Sequence, residues 1–246
     1  VLFEKVNILG IQFYKGKVKG VFDYLNEKGG LLTVPAAPAL VTIKEDKAYY
    51  ESLLKSDIVI PDSGYMVLIW NIFFKNKINK ISGLEFINYF LSQSTKINQG
   101  TLFLINPSDI DGQINTQFLN NHKIKIEEAY NYSAPFYKKN IIDLHLLEEL
   151  ENKKPKWIII NIGGGTQEKL GLYLIENLTF KPAILCTGAA LAFKTGRQVK
   201  VPKLIDQIYL GWLYRCISNP KIFIPRYLKG FKLIKLILLN KSDVVK

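Results

Sequence analysis

Short runs rich in β-branched and aromatic residues alternate along this chain with stretches whose apolar residues recur every three or four positions. The runs Val6–Phe13, Leu31–Val34, Asp57–Ile60, Thr101–Ile105, Lys123–Ile126, Trp157–Ile162 and Ala183–Cys186 read as strands. Between them, Val18–Asn26 reads as a helix stopped by Gly29-Gly30, and Ala39–Ser56 as a helix with Leu40, Ile43, Tyr50 and Leu53 on one side. Further helices are predicted through Trp70 and Phe74, over Leu84–Leu91, Ser108–Asn120 and Ile141–Leu150, from about Gln167 onward, and from Gly188 to Phe193. Alternating strand and helix units predict an α/β fold: a Rossmann-like, mainly parallel sheet flanked by helices. Ligands of such sheets bind at the carboxyl ends of the strands, so the loops after Ile60, Ile162 and Cys186 are the first candidates for a site.

Each of those loops carries chemistry. In Pro61-Asp62-Ser63-Gly64 the carboxylate stands between a strand and a helix. It is either an N-cap accepting from orphan helix amides or a general base at the mouth of the sheet. Gly163-Gly164-Gly165-Thr166-Gln167 lets backbone amides approach a phosphate at a helix start, or is a flexible turn. It is neither a Walker loop nor a GxGxxG fingerprint. Thr187-Gly188 would face the same crevice, or serve as a helix-start packing motif. The first strand lacks the glycine pattern of a dinucleotide-binding oxidoreductase. His122 and His145 are isolated, and Cys186 and Cys216 lie in apolar runs without CxxC spacing, which argues against zinc and Ser-His chemistry.

Charge separates the end of the chain from the rest. The net charge is +12, and 11 basic residues face only two acidic ones between Arg197 and Lys246. There Trp212, Tyr214, Ile222, Phe223 and Phe231 interleave with Arg215, Lys221, Arg226, Lys229, Lys232 and Lys235. So much aliphatic surface suits an anionic membrane better than nucleic acid, or else belongs to a core helix with solvated lysines. The division expected is an α/β core over residues 1–200 and a basic, amphipathic, helical C-terminal appendage over 201–246. No apolar run reaches the roughly 18–20 residues of a membrane span, and Glu4 and Lys5 interrupt any early leader pattern. The expectation is a cytoplasmic protein bound peripherally to the inner face of the cell membrane.

Taken in order, Lys44–Ser56 (KEDKAYYESLLKS), Asp57–Gly64 (DIVIPDSG), Gly165–Lys169 (GTQEK), Gly196–Pro202 (GRQVKVP), Gly211–Arg215 (GWLYR), Asn219-Pro220 and Arg226-Tyr227-Leu228 resemble the WecG/TagA/CpsF family of bacterial glycosyltransferases. The resemblance implies inverting, metal-independent transfer from a UDP-sugar to a polyprenyl-diphosphate-linked sugar in cell-surface polysaccharide synthesis. It places the catalytic base at Asp62 and leaving-group neutralisation at Arg215 and Arg226, assisted by Lys221. Substrate contacts are expected at Thr33, Ala36, Ser63, Gly64, Gly163, Gly164, Gly165, Gln167, Thr187 and Gly188. No cofactor and no metal are expected.

Several positions depart from the family pattern. Ala36 stands where an asparagine is usual, Ala192 where an aspartate is usual, Gly211 replaces the glutamate of EWLYR, and Ile222 replaces a tail arginine. Lost polar groups alter which sugar hydroxyls or acetamides a pocket can satisfy. The donor is therefore left open between a hexose and an N-acetylhexosamine. The alternative function is a non-catalytic membrane-surface or nucleotide-binding protein on the same fold. Homo-oligomers through the apolar tail stay open, since no residue pattern decides them.

Overall fold

The computed structural model describes residues 3–138, 140–196, 211–218 and 220–240. It is an α/β structure built on one eight-stranded sheet. The strands are β1 (Lys5–Ile8), β2 (Ile11–Tyr14), β3 (Gly30–Thr33), β4 (Ile58–Val59), β5 (Leu102–Asn106), β6 (Asn131–Ser133), β7 (Trp157–Ile160) and β8 (Ala183–Cys186). Their order is β1-β2-β4-β3-β8-β7-β5-β6, and every neighbouring pair is parallel except β1 and β2. The carboxyl ends of the parallel strands therefore share one rim.

Helices α1 (Val18–Lys28), α2 (Ala37–Leu40), α3 (Lys47–Leu54), α4 (Gly64–Phe73), α5 (Gly83–Ser92), α6 (Ser94–Ile97), α7 (Asp109–Asn121), α8 (Leu144–Lys153), α9 (Thr166–Asn177) and α10 (Ala190–Lys194) connect the strands. Two more, α11 (Gly211–Ser218) and α12 (Pro220–Asn240), lie near the C-terminus. β3, β5, β7 and β8 are buried at every position, as continuous apolar runs require when helices cover both faces. Phe22 of α1 stacks on Trp157 at 5.4 Å between ring centroids, and Phe90 of α5 meets the same indole edge-on at 5.2 Å. The opposite face packs Leu146 and Leu150 of α8 and Leu170 and Leu174 of α9 against Ile158, Ile160 and Ile184.

Four expectations change. Val6–Phe13 is a hairpin, because Leu9 and Gly10 both take positive φ and turn the chain between β1 and β2. Apolar residues on either side of that turn hide it in the pattern. Ala39–Ser56 is two helices: Leu40 and Ile43 are buried as the spacing requires, but Asp46 accepts from the Tyr49 amide and starts α3 anew. Lys123–Ile126 is not a strand. Ile124 and Ile126 are buried, yet Asn120 accepts from the Ile126 amide and Asn98 from the Lys125 amide, so side chains replace a ladder. The helix expected over Ile141–Leu150 begins only at Leu144, where Asp143 caps it and accepts from the Tyr132 and Tyr137 hydroxyls as well.

The first expected position of the appendage and the boundary near Val201-Pro202 lie outside the described residues. Within them, α12 packs on α2 and α4, with Leu233 and Ile237 one turn apart in the apolar cluster around β1 and β2. No helix among the described residues is long and apolar enough to cross a membrane.

Asp57 ties the amino ends of the strands together. It accepts from the Leu31 amide at 2.8 Å and from Lys181 Nζ at 2.8 Å. Its carboxyl carbon lies 2.6 Å from where a Cβ on Gly30 would stand, and Gly30 has φ +115. Only glycine meets both demands. Replacing Asp57 with Ala is expected to lower stability by about 2 kcal/mol, since it strands a buried-edge amide. Lys181→Ala should cost under about 1 kcal/mol, because that partner is half exposed. Urea unfolding of the two variants checks the order.

Candidate active site

The rim at the carboxyl ends of β3, β4, β8 and β7 is where the sequence-identified residues meet. The N-cap of α4 is Ser63, whose hydroxyl accepts from the Met66 amide at 3.1 Å. Asp62 therefore does not cap the helix. It is half-buried, and its Oδ1 accepts from the Gly83 amide at 2.9 Å. Gly64 is the first residue of α4. Gly83 opens α5 at a junction of three loops: a Cβ there would stand 2.7 Å from the Thr187 carbonyl oxygen and 3.4 Å from Val34 Cγ1. This close approach holds the Asp62 loop against the loop after β8. Gly83 had no signal in the sequence beyond a glycine at a helix start.

Thr33 lies at the end of β3. Its side chain is buried and its hydroxyl donates to Ser56 Oγ at 3.0 Å, which fixes the strand end. Ala36 is exposed at the start of α2, and its carbonyl accepts from Ala39 and Leu40. Thr187 is buried, and among the described residues its hydroxyl has no hydrogen-bond partner.

The glycine loop after β7 also differs from a simple phosphate cradle. Gly163 and Gly164 are exposed with open space around their α-carbons. The amides beyond them turn inward: Thr166 and Gln167 donate to the Gly163 carbonyl, and Gly165 donates to Glu168 Oε2 at 2.6 Å. This is the reciprocal half of a capping box, and Gly165, lacking a side chain, cannot supply the other half. Gly165 takes φ +88, which favours glycine.

Gln167 is 1 % exposed and committed at both ends. Its Nε2 donates to Glu168 Oε1 at 3.0 Å, and its Oε1 accepts from the Gly188 amide at 3.2 Å. It thus joins the β7 and β8 loops instead of presenting an open amide. Glu168, absent from the sequence-based candidates, is 2 % exposed. Burial pushes its carboxyl up to about 7, against the opposing pull of its own amide, Gln167, Gly165 and Lys169. Lys169 pairs with Asp46 at 3.0 Å and ties α9 to α3.

A second polar group missed in the sequence closes the rim on its far side. Asn106, fully buried at the end of β5, accepts from Asn115 at 2.8 Å and Asn161 at 3.0 Å and donates to Asn131 at 3.1 Å. Its only signal was an Asn-Pro pair after a strand.

Arg215 and Arg226 fall on α11 and α12, with their side chains outside the described residues. Lys221 is exposed in the first turn of α12. Both helices pack on α4, and Gly230 lies against Tyr65, three residues after Asp62. Arg226 precedes Gly230 by four residues, about one helical turn. Among the described residues, no three His, Cys, Asp or Glu side chains converge as a metal ion would require.

The raised carboxyl of Glu168 has a stability consequence with a definite sign. The folded protein holds its proton more tightly than the unfolded chain, so this group's contribution is fully present below about pH 4.5 and is lost as pH rises through about 7. The difference is of order 3 kcal/mol. Glu168→Gln should flatten that part of the stability profile, read by denaturant unfolding from acid to mildly alkaline pH. A wild-type profile that matches the variant's contradicts the burial argument.

A comparison with curated individual proteins gives no match. A sequence model of the glycosyl transferase WecG/TagA/CpsF family matches residues 6–244, nearly the whole chain and every loop of the rim described above. The protein is a member of the WecG/TagA/CpsF family of glycosyltransferases.

Proposed function

We propose that this glycosyltransferase moves a hexose or N-acetylhexosamine from a UDP-sugar to a polyprenyl-diphosphate-linked sugar, with inversion and without a metal, at the inner face of a bacterial cell membrane. The observation that carries the reading is the placement of Asp62. Ser63 rather than Asp62 caps α4, and Asp62 is oriented by the Gly83 amide in the first turn of α5, at the shared rim of a parallel sheet.

The chemistry asks little else of the protein. Asp62 takes the proton of the acceptor hydroxyl as that oxygen attacks the anomeric carbon. The bond from that carbon to the UDP oxygen breaks with its electron pair, and UDP leaves with added negative charge. Arg215 and Arg226, with Lys221, are the groups assigned to neutralise it. The exposed Gly163-Gly164 backbone gives the donor diphosphate room to approach. Gln167, Thr187 and Gly188 shape the donor side of the crevice.

Membrane attachment is assigned to α11 and α12. Leu213, Ile217, Leu238 and Leu239 are exposed there, beside exposed Lys221, Lys232 and Lys235. That mixture suits an anionic lipid surface. Only part of the apolar surface of α12 is left for it, since Leu233 and Ile237 are used inside.

Two outcomes are expected. Asp62→Asn should lower acceptor-dependent UDP release by about 10²-fold or more, the range for losing a general base, while UDP binding by calorimetry stays within about threefold. Full activity in the variant would remove Asp62 from the mechanism. A double Ile217→Glu, Leu239→Glu variant should lose most of its co-sedimentation with anionic vesicles, and unchanged sedimentation would take the membrane role away from these helices.

A further inference from the structure

We infer that Glu168 is a positioning residue for sugar-nucleotide binding: in its ionised form it clamps the glycine loop after β7 and, through Gln167, the loop after β8 into one donor-binding surface. The inference rests on the donor reading of this rim and adds to it the residue that holds the rim together.

The geometry is a continuous chain. The Gly165 amide donates to one carboxylate oxygen of Glu168 and the Gln167 amide to the other, at 2.6 and 3.0 Å. Gln167 then accepts from the Gly188 amide at 3.2 Å, and its carbonyl accepts from Cys186 Sγ at 3.2 Å. Both oxygens of Glu168 thus face N–H donors. An ionised carboxylate satisfies both, because it only accepts. A proton on either oxygen sets an O–H against an N–H and weakens one of the two bonds. The loop that loses it is either Gly163–Gly165 itself or, through Gln167, the segment that begins at Gly188.

The surroundings make this exchange reachable near neutrality. From α3, Tyr49 faces Glu168, and both the Tyr49 hydroxyl and the Cys186 thiol are raised by burial first and by the Glu168 charge second. β8 contributes Cys186, β3 contributes no titratable group, and α9 itself contributes Lys169, already paired with Asp46. Lys55 and Glu176 pair at the far end of the same two helices. Burial is the largest influence on the Glu168 carboxyl, which lies at about 7. The ionised clamp therefore costs fold stability at the pH where it is used.

The test needs two readouts on the full chain. The first uses the wild type alone: the Gly165 amide proton, followed by ¹H–¹⁵N NMR, should move with a single titration whose midpoint lies near 7. No movement between about pH 6 and pH 8 overturns the clamp whatever the protein's activity. The second compares UDP binding by calorimetry over the same range. Wild-type affinity should fall about tenfold toward low pH, the loss expected for one hydrogen bond, and Glu168→Gln should bind weakly and without pH dependence. In turnover the defect should lie in donor KM, with kcat at saturating donor close to wild type. A Glu168→Gln protein with wild-type KM and a wild-type pH profile overturns the assignment. A Gly165 titration in a protein that binds no UDP at any pH leaves the clamp standing and removes the donor reading instead.

Discussion

The bond from the Gly188 amide to the Gln167 side chain is the interaction on which the rim depends. β7 and β8 are neighbours in the sheet, but the sheet aligns only their backbones, and the loops beyond them diverge unless a side chain bridges them. Gln167 does so from inside the first turn of α9, with Glu168 behind it and Gly165 closing the circle. On the other side, Gly83 brings the Thr187 carbonyl and the Asp62 carboxylate to one helix start. The Asp62 loop and the two glycine loops are thus held by short polar contacts rather than by the apolar core beneath them.

A buried carboxylate is an expensive way to hold a loop. An apolar side chain at position 168 would avoid desolvation, but it would leave the Gly165 and Gln167 N–H groups without acceptors. Asp57, at the opposite end of the strands, shows the cheaper version of the same device. It ties Leu31 and Lys181 from a position open enough for its lysine partner to reach water. One carboxylate secures the amino ends of the strands, and the other secures the loops at their carboxyl ends. The motif DIVIPDSG carries Asp57 and Asp62 at the two ends of a strand so short that a single segment reaches both edges of the sheet.

Much of this was legible in the residues. The apolar run Ala183–Cys186 coincides with β8, and strand–helix alternation alone indicates the parallel α/β sheet. The misses have local causes. Leu9 turns the chain with a positive φ that a leucine does not advertise. Asn98 and Asn120 satisfy a segment that alternates like a strand. Between Asp62 and Ser63, two good capping residues in succession, only the fold decides which one caps. Glu168 sits among charged and polar neighbours in GTQEK, where it reads as surface, and its burial comes from the packing of α9 on α3 and β8. Gln167 and the glycines were found, but their inward bonding was not, because hydrogen-bond direction has no sequence signature. Family resemblance pointed to Asp62, Arg215 and Arg226, and the fold shows that Ser63, not Asp62, caps α4.

The most direct test of the joined rim is hydrogen–deuterium exchange of the full chain with and without UDP. A rim built as one surface should gain protection together in peptides covering residues 161–168 and 186–190, with a smaller effect at 60–64. Protection confined to one of the two glycine loops, or found only at the far side around residues 106–116, would contradict the account that Gln167 and Glu168 make them a single donor site.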